Sequence, residues 1–332
     1  GDRYVVGSYA GTYGTRGKGG GTTITSGSIG YGRHFTRSYS NDYIATDLTN
    51  NFSTYSQYTI EGVFSADTGT GEILSNDTGA GGSALTISGS KVQFITRGTA
   101  DPATDSSNST TLNSWTYAAC VNDRYENRRY VYLNGIETYE FYTGTMATTG
   151  VSVFNIGRKN LVSNNYFDGI ISELRISTTR RSANWCNTTY ENLVNFSSFC
   201  TISTEENVGG QHINNWLFRQ KITVPSGTVS GTLSNFPVEV AIYDRTNHLF
   251  KAANYDGSDI IFTDSNGTTL LAYQIDNYQN QLDSPYTSTS GAFCSLTAHV
   301  KLPALSPNTD NDFYMYYGNK YATFQESPYD VW

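Results

Sequence analysis

Two Asn-Gly pairs, each set between runs of β-branched and aromatic residues, constrain this chain most. Tyr130-Val131-Tyr132-Leu133, then Asn134-Gly135, then Ile136-Glu137-Thr138-Tyr139 has the form of a tight hairpin, because Asn-Gly supplies the positive φ that a type I′ turn requires. Asp259-Ile260-Ile261-Phe262-Thr263 and Thr268-Thr269-Leu270-Leu271-Ala272-Tyr273 flank Asn266-Gly267 in the same way. Val92–Thr96, Tyr117–Val121, Val151–Ile156, Val238–Ile242 and Phe313–Tyr317 have strand length and β-forming composition, with partial alternation. Only 7 of 332 residues are Pro, which suits sheets that need every ladder donor, and 26 Tyr, 16 Phe and 32 Gly favour short strands joined by turns. The chain reads as all-β.

One helix is expected, over residues 182–195. Ser182 can cap it, and Trp185, Thr189 and Leu193 share a face at spacing four. It follows a strand, Ile170–Ser177, whose strict alternation would put Ile171 and Leu174 on opposite sides. The chain then turns polar through Glu205-Glu206-Asn207-Val208-Gly209-Gly210-Gln211. The expected organisation is a domain over 1–200, a linker over 201–215 and a second domain over 216–332, with no repeat between the halves.

A formal charge of −8 argues against nucleic acid as a partner, since phosphate binding needs a basic footprint. No apolar run approaches the roughly 18 residues of a membrane span. Four cysteines are too few for a disulfide scaffold and lack metal spacing. Cys186 and Cys200 flank the helix, so either a local disulfide or two free buried thiols fits. Glycosylation sequons occur at Asn51, Asn76, Asn108, Asn187, Asn195 and Asn266, a number that chance alone would supply. They permit an extracellular or cell-surface location. No leader precedes the first residues, so a cytosolic chain or a mature secreted one fits.

The ends fit head to tail. Tyr329-Asp330-Val331-Trp332 followed by Gly1-Asp2-Arg3-Tyr4-Val5-Val6 would make one strand-like run. This leads to the expectation that Tyr4, Val5, Val6, Tyr329, Val331 and Trp332 join copies of the chain, in tandem or as separate subunits. The alternative is a trimmed piece of a longer chain.

Gly27-Ser28-Ile29-Gly30-Tyr31-Gly32, Asn41-Asp42-Tyr43-Ile44, Trp115-Thr116-Tyr117-Ala118, Phe167-Asp168-Gly169-Ile170-Ile171-Ser172-Glu173-Leu174-Arg175-Ile176-Ser177 and Arg181-Ser182-Ala183-Asn184-Trp185 occur in that order. In order and spacing, residues from about 28 to 195 resemble the LamG-like, concanavalin A-type jelly roll. Trp216–Val224, Asn235-Phe236-Pro237-Val238, Tyr255–Asp264, Val300-Lys301-Leu302-Pro303 and Tyr316-Tyr317-Gly318-Asn319 resemble an uncharacterised β-sandwich module of secreted archaeal and bacterial proteins. That module commonly precedes such jelly rolls, whereas here it follows. The resemblances imply two β-sandwich domains, a jelly roll and a smaller sandwich, with one short helix.

Sugar-cleaving jelly rolls carry carboxylates close together on one strand. No such run exists here, and Glu72 and Glu173 stand alone on their strands. The four His are scattered, without a metal or nucleophile motif. No cofactor is expected, although calcium stays open: Asp256-Gly257-Ser258-Asp259 reads as a calcium loop or an Asx turn. The jelly-roll resemblance implies Asp42 and Asp168 as further calcium ligands. The expected function is a non-catalytic extracellular structural protein, a repeat or subunit of a surface filament, sheath or adhesin. The alternative is a lectin-like module that binds surface glycans, with an enzyme third.

Overall fold

A computed structural model describes residues 14–16, 23–28, 31–37, 42–46, 48, 54–147, 153–159, 165–213, 215–280 and 294–332. The chain divides into two compact units, Gly1–Tyr190 and Glu191–Trp332. The division falls inside helix α1 (Ala183–Leu193).

The first unit contains, in chain order, β1 (Gly14–Arg16), β2 (Thr23–Ser26), β3 (Tyr31–Phe35), β4 (Ile44–Thr46), β5 (Gln57–Ala66), β6 (Gly71–Ser75), β7 (Ser83–Ser88), β8 (Lys91–Thr96), β9 (Ala103–Ser109), β10 (Trp115–Asp123), β11 (Arg128–Leu133), β12 (Ile136–Phe141), β13 (Asn155–Ile156) and β14 (Gly169–Ser177). They form two seven-stranded sheets, ordered β1-β4-β13-β6-β7-β8-β9 and β12-β11-β10-β5-β14-β3-β2. Ile60, Phe64, Leu85, Phe94, Val131 and Phe154 belong to one core cluster built from strands of both sheets. Every pairing is antiparallel, and side chains alternate between core and outer face.

The expected hairpin is present. Asn134 has φ 50° and Gly135 φ 80°, as a type I′ turn requires, and β11 pairs with β12 from Leu133↔Ile136 to Arg128↔Phe141. The broken alternation of 170–177 has a physical resolution. The β14–β5 register shifts between Ile171 and Glu173, so one extra residue lets Ile171 and Leu174 both reach the core, at 0% and 1% exposure. Leu174 fits because its neighbour across the ladder is glycine: a Cβ on Gly62 would stand 2.6 Å from Leu174 Cδ2. Ser182 caps α1 as expected, its Oγ accepting the Trp185 N–H at 3.2 Å.

The second unit follows α1 with a short α2 (Phe196–Phe199), then β15 (Thr201–Ile202), β16 (Glu206–Asn207), β17 (Phe218–Val224), β18 (Leu233–Ile242), α3 (Leu249–Ala252), β19 (Ile261–Thr263), β20 (Tyr273–Asn280), β21 (Cys294–Leu305), β22 (Asn311–Tyr317) and α4 (Pro328–Val331). One sheet runs β15-β17-β22-β19 with β16 also on β17, and the other runs β18-β21-β20. Residues 201–215, expected as a linker, therefore carry two short strands paired to β17. The second Asn-Gly differs from the first. Of the pair, Gly267 alone has positive φ, Asn266 folds its Oδ1 onto the Thr268 and Thr269 N–H groups, and an isolated bridge, Thr263↔Leu270, takes the place of a ladder across the turn.

Asp259 ties this unit together. Fully buried, it accepts the Asn254 N–H on Oδ1 at 2.8 Å and the Gly318 and Asn319 N–H groups on Oδ2 at 2.7 and 2.9 Å. Its backbone carbonyl accepts the Trp216 indole N–H at 2.7 Å. The Asp-Gly-Ser-Asp and Tyr-Gly-Asn pieces are thus the two halves of one knot. Asp259→Ala leaves three N–H groups without an acceptor, that of Asn319 buried and those of Asn254 and Gly318 half-buried, each a penalty of up to roughly 1–3 kcal/mol. Urea unfolding should show the second unit losing several kcal/mol; a loss under about 1 kcal/mol would mean that water replaces the carboxylate.

Candidate functional site

Strand β6 has no exposed residue, although one face of it points away from the core. The β6–β7 register shifts between Glu72 and Leu74. Leu74 faces Leu85 and Ile156 in the core, while Glu72 lies opposite Thr86, and Ser75 opposite Ala84 and Asn155, on the outer face. Polar side chains are therefore buried on a sheet surface, where each unmet hydrogen bond is unfavourable.

Asp77 is fully met. Its side chain is 0% exposed and takes Arg97 in a two-pronged bond, Nε to Oδ1 at 2.8 Å and Nη2 to Oδ2 at 2.6 Å, with Lys159 Nζ 3.1 Å from Oδ2 and the Gly79 N–H on Oδ1. Burial opposes its ionisation, but Arg97, the Gly79 amide and Lys159 together hold its pKa below the usual carboxylate range. Glu72, 1% exposed, is not fully met. Its Oε1 accepts Asn165 Nδ2 at 3.1 Å, whereas its Oε2 has no hydrogen bond among the described residues. Burial first, and the Asp77 charge second, push its pKa up to about 7, against weaker help from Asn165, Lys159 and Ser75. Asn155, 1% exposed, has no hydrogen bond on either amide atom among the described residues.

Glu72 and Asn155 thus offer unfilled donors and acceptors, with Ser75 between them and the half-buried Arg97, Lys159 and Asn165 beside them. A carboxyl group and a carboxamide together suit neighbouring hydroxyls, each of which donates once and accepts twice. The two carboxyls are tuned apart, as an acid and a nucleophile would be. Asp77, however, spends both oxygens on Arg97, Lys159 and Gly79.

The sequence-expected sites distribute differently. Asp42 Oδ2 accepts the Thr36 N–H at 3.1 Å and Asp168 Oδ1 accepts the Arg37 N–H at 3.3 Å, so the two carboxylates accept from adjacent peptides. Asp42 is buried and its Oδ1 has no hydrogen bond among the described residues, so one oxygen is left for a cation that takes carboxylate and carbonyl oxygens. Asp256 and Asp259 form the Asx-turn alternative: Asp256 Oδ1 accepts the Ser258 N–H at 3.0 Å, and Asp259 is occupied as described. Cys186 and Cys200 are free, buried thiols in this structure. Cys186 is buried beside Tyr117, and Cys200 lies 3.9 Å from the Glu239 carbonyl; burial pushes the Cys186 thiol well up and the Cys200 thiol to about 12. Such protonated thiols are poor nucleophiles.

Among the sequons, Asn108 and Asn266 are exposed, Asn187 and Asn195 half-buried, and Asn76 buried with its Oδ1 on the Ser83 N–H at 2.7 Å. Asn51, Tyr4, Val5 and Val6 lie outside the described residues. The expected C-terminal seam strand is instead a helical turn, α4, begun by Pro328. Val331 is 1% exposed and Trp332 packs on the His299 ring at 4.9 Å, while Tyr329 is 98% exposed. Pro suits the first helical position. The preceding residues serve the β20 edge, Glu326 Oε2 accepting the Ile275 N–H and Ser327 N–H donating to the Tyr273 carbonyl. His299, seen in sequence as isolated, lies between Glu239 Oε2 at 2.6 Å and Asp276 Oδ2 at 2.5 Å. Strands β18, β20 and β21 bring these three together, and no spacing in the sequence signals it.

Two outcomes follow from the carboxylates of the first unit. Folded Glu72 keeps its proton to about pH 7, while the unfolded chain releases it near 4.5. The folded state therefore holds more protons in that window, and stability falls as pH rises through it, by roughly 3 kcal/mol in all. Glu72→Gln should raise the melting temperature at pH 8 and leave it unchanged near pH 4.5; parallel curves for the two proteins would refute the assignment. For Asp42, chelation should lower the melting temperature of the intact chain but not of Asp42→Asn, since a ligand bound only to the native state stabilises it by mass action. Superposable curves in chelator and in millimolar calcium would remove calcium from this site.

Among solved structures, domain 4 of an extracellular arabinanase from Geobacillus stearothermophilus, in complex with arabinotriose, is 20% identical, with 55% of this chain and 91% of that one covered at a TM-score of 0.41. The CBM40 of a Ruminococcus gnavus IT-sialidase, bound to α2,3-sialyllactose, is 15% identical over 53% of this chain and 98% of that one at 0.39. A putative carbohydrate-binding protein from Bacteroides ovatus is 15% identical over 55% of this chain at 0.38, and the chain spans 47% of its length. The comparison with curated protein sequences found no match. Residues 38–186 match the family described as the concanavalin A-like lectin/glucanases superfamily, and residues 256–331 match a domain of unknown function, DUF2341.

Proposed function

We propose that this chain is a non-catalytic, carbohydrate-binding module of a secreted protein, and that Glu72 and Asn155 recognise sugar hydroxyls on the outer face of the first sheet. The observation that carries the proposal is the pair of buried, unfilled polar side chains within the lectin-like domain. A glycosidase would need a second carboxylate free to attack or to activate water. Asp77, the nearby candidate, is held by two cations and a backbone amide. The exposed sequons Asn108 and Asn266 suit an extracellular setting.

A second reading, head-to-tail assembly into a filament, is favoured by the bare Tyr329 ring. It is weakened by Val331, which is already buried in its own chain and would gain nothing from a neighbour.

A glycan array read together with light scattering separates the two. The intact chain should bind a defined set of glycans saturably while remaining monomeric. Asn155→Ala and Glu72→Ala should each weaken that binding by about tenfold or more, as expected when one or two hydrogen bonds to a ligand are lost. A folded chain that binds no glycan but grows in mass with concentration would replace this reading with the filament.

A further inference from the structure

A second group of unmet polar atoms lies inside the first unit, away from Glu72. Arg129 is 0% exposed and points inward, like Val131 two residues on, toward the space between the sheets. Its guanidinium donates to Thr96 Oγ1 at 3.1 Å and to the Asp101 and Ala103 carbonyls at 2.5 and 3.4 Å. Among the described residues no carboxylate accepts from it, and its Nε has no partner. Directly across the β10–β11 ladder stands Asn122, also 0% exposed, with neither amide atom in a hydrogen bond of ordinary geometry among the described residues. The Tyr142 ring lies 5.4 Å from the Arg129 guanidinium carbon, and the buried Tyr142 hydroxyl faces the Asn122 side chain, which acts on it as a hydrogen-bonding group although no bond of ordinary geometry is made to the hydroxyl among the described residues.

Guanidinium cannot shed its proton to escape burial. An unpaired buried charge is among the least favourable features a fold can contain. The free groups here include three kinds of donor, guanidinium N–H, carboxamide N–H and phenol O–H, around that one positive charge. Water would fill hydrogen bonds but leave the charge uncompensated; an anion would do both. Burial holds the Arg129 pKa below the ordinary guanidinium range even with Asp101 and Glu140 acting on it through space.

We infer that Asn122, Arg129 and Tyr142 form a buried site for a small monovalent anion of halide size. The anion accepts from Arg129 Nε–H, the Asn122 amide and the Tyr142 hydroxyl, and ties β10, β11 and the chain after β12 to the segment 96–103 that Arg129 already holds. The site is structural and does not depend on the sugar-binding reading.

The test compares melting of the full chain in sodium chloride, sodium bromide and sodium gluconate at equal ionic strength. Chloride and bromide should raise the melting temperature with the logarithm of concentration above the dissociation constant, by about 3–5 °C at tenfold excess over it. Crystals grown in bromide should show an anomalous peak between Asn122, Arg129 and Tyr142. Tyr142→Phe keeps the ring and removes one donor, so it should fold and shift the halide response to higher concentration. Arg129→Met should abolish the response; if that variant does not fold, Asn122→Leu reports the same loss. Identical melting in halide and gluconate, with no bromide at the cluster, overturns the proposal and leaves ordered water as the occupant.

Discussion

Burying both faces of a sheet means that every polar side chain on it must find a partner inside the protein. Strand β6 is in that position: it contributes Ile73 and Leu74 to the core, while Glu72 and Ser75 are covered on the other side. An unpartnered buried polar group is unfavourable by about 1–3 kcal/mol, a large fraction of the margin by which a domain folds. The sequence answers this demand in two ways. Some groups are saturated, and these act as scaffold. Others are left open, and these are where a ligand has something to gain.

Asp259 and Asp77 show the saturated case with different donors. Asp259 is met wholly by backbone, three N–H groups from two loops. It fixes where the chain after β22 runs, with Gly318 at φ 85° placing its amide toward the carboxylate. Asp77 is met by charge, with Arg97 and Lys159 each about a fifth exposed. A partly exposed pair contributes less than a dry one because water screens it. The bidentate geometry makes up part of that difference by fixing two bonds at once.

The strands and the first hairpin were legible because period two and Asn-Gly are local signals, visible within ten residues. The bulge in β14 was legible only as an anomaly. The sequence has two core side chains, Ile171 and Leu174, at an odd spacing, and either one must point outward or the ladder must slip. Physics chooses the slip, since exposing a Leu or Ile loses roughly 1.5–3 kcal/mol. The second Asn-Gly misled because Asn266 hydrogen-bonds its own backbone and stays out of the left-handed region, an alternative open to any Asn in a turn. The C-terminus misled because Val, Tyr and Trp suit a strand, while Pro328 and the needs of the β20 edge favoured a helical turn. The polar clusters were not legible at all. Glu72 and Asn155 stand 83 positions apart in the chain, and it is the order β13-β6 that sets Asn155 opposite Ser75 on the strand that also carries Glu72.

That order also explains why Glu72, rather than Asp77, is the reactive-looking carboxyl. Both sit on or just after the same strand and feel the same cations. Asp77 lies past the end of β6, where the chain turns back toward β7 and can present the Gly79 N–H beside Arg97. Glu72 lies within the ladder, where neighbouring N–H groups are already committed to the sheet, so the help it receives comes from side chains, the Asn165 amide at 3.1 Å and more weakly Ser75. With Asp77 close and negative, ionising Glu72 would add a second charge to a site whose two cations are already engaged. A neutral carboxylic acid avoids this, and it adds an O–H donor beside the acceptor oxygens. Near neutral pH the group therefore offers both halves of a hydrogen-bond exchange, which is what a hydroxyl-bearing ligand needs and what a simple cation does not.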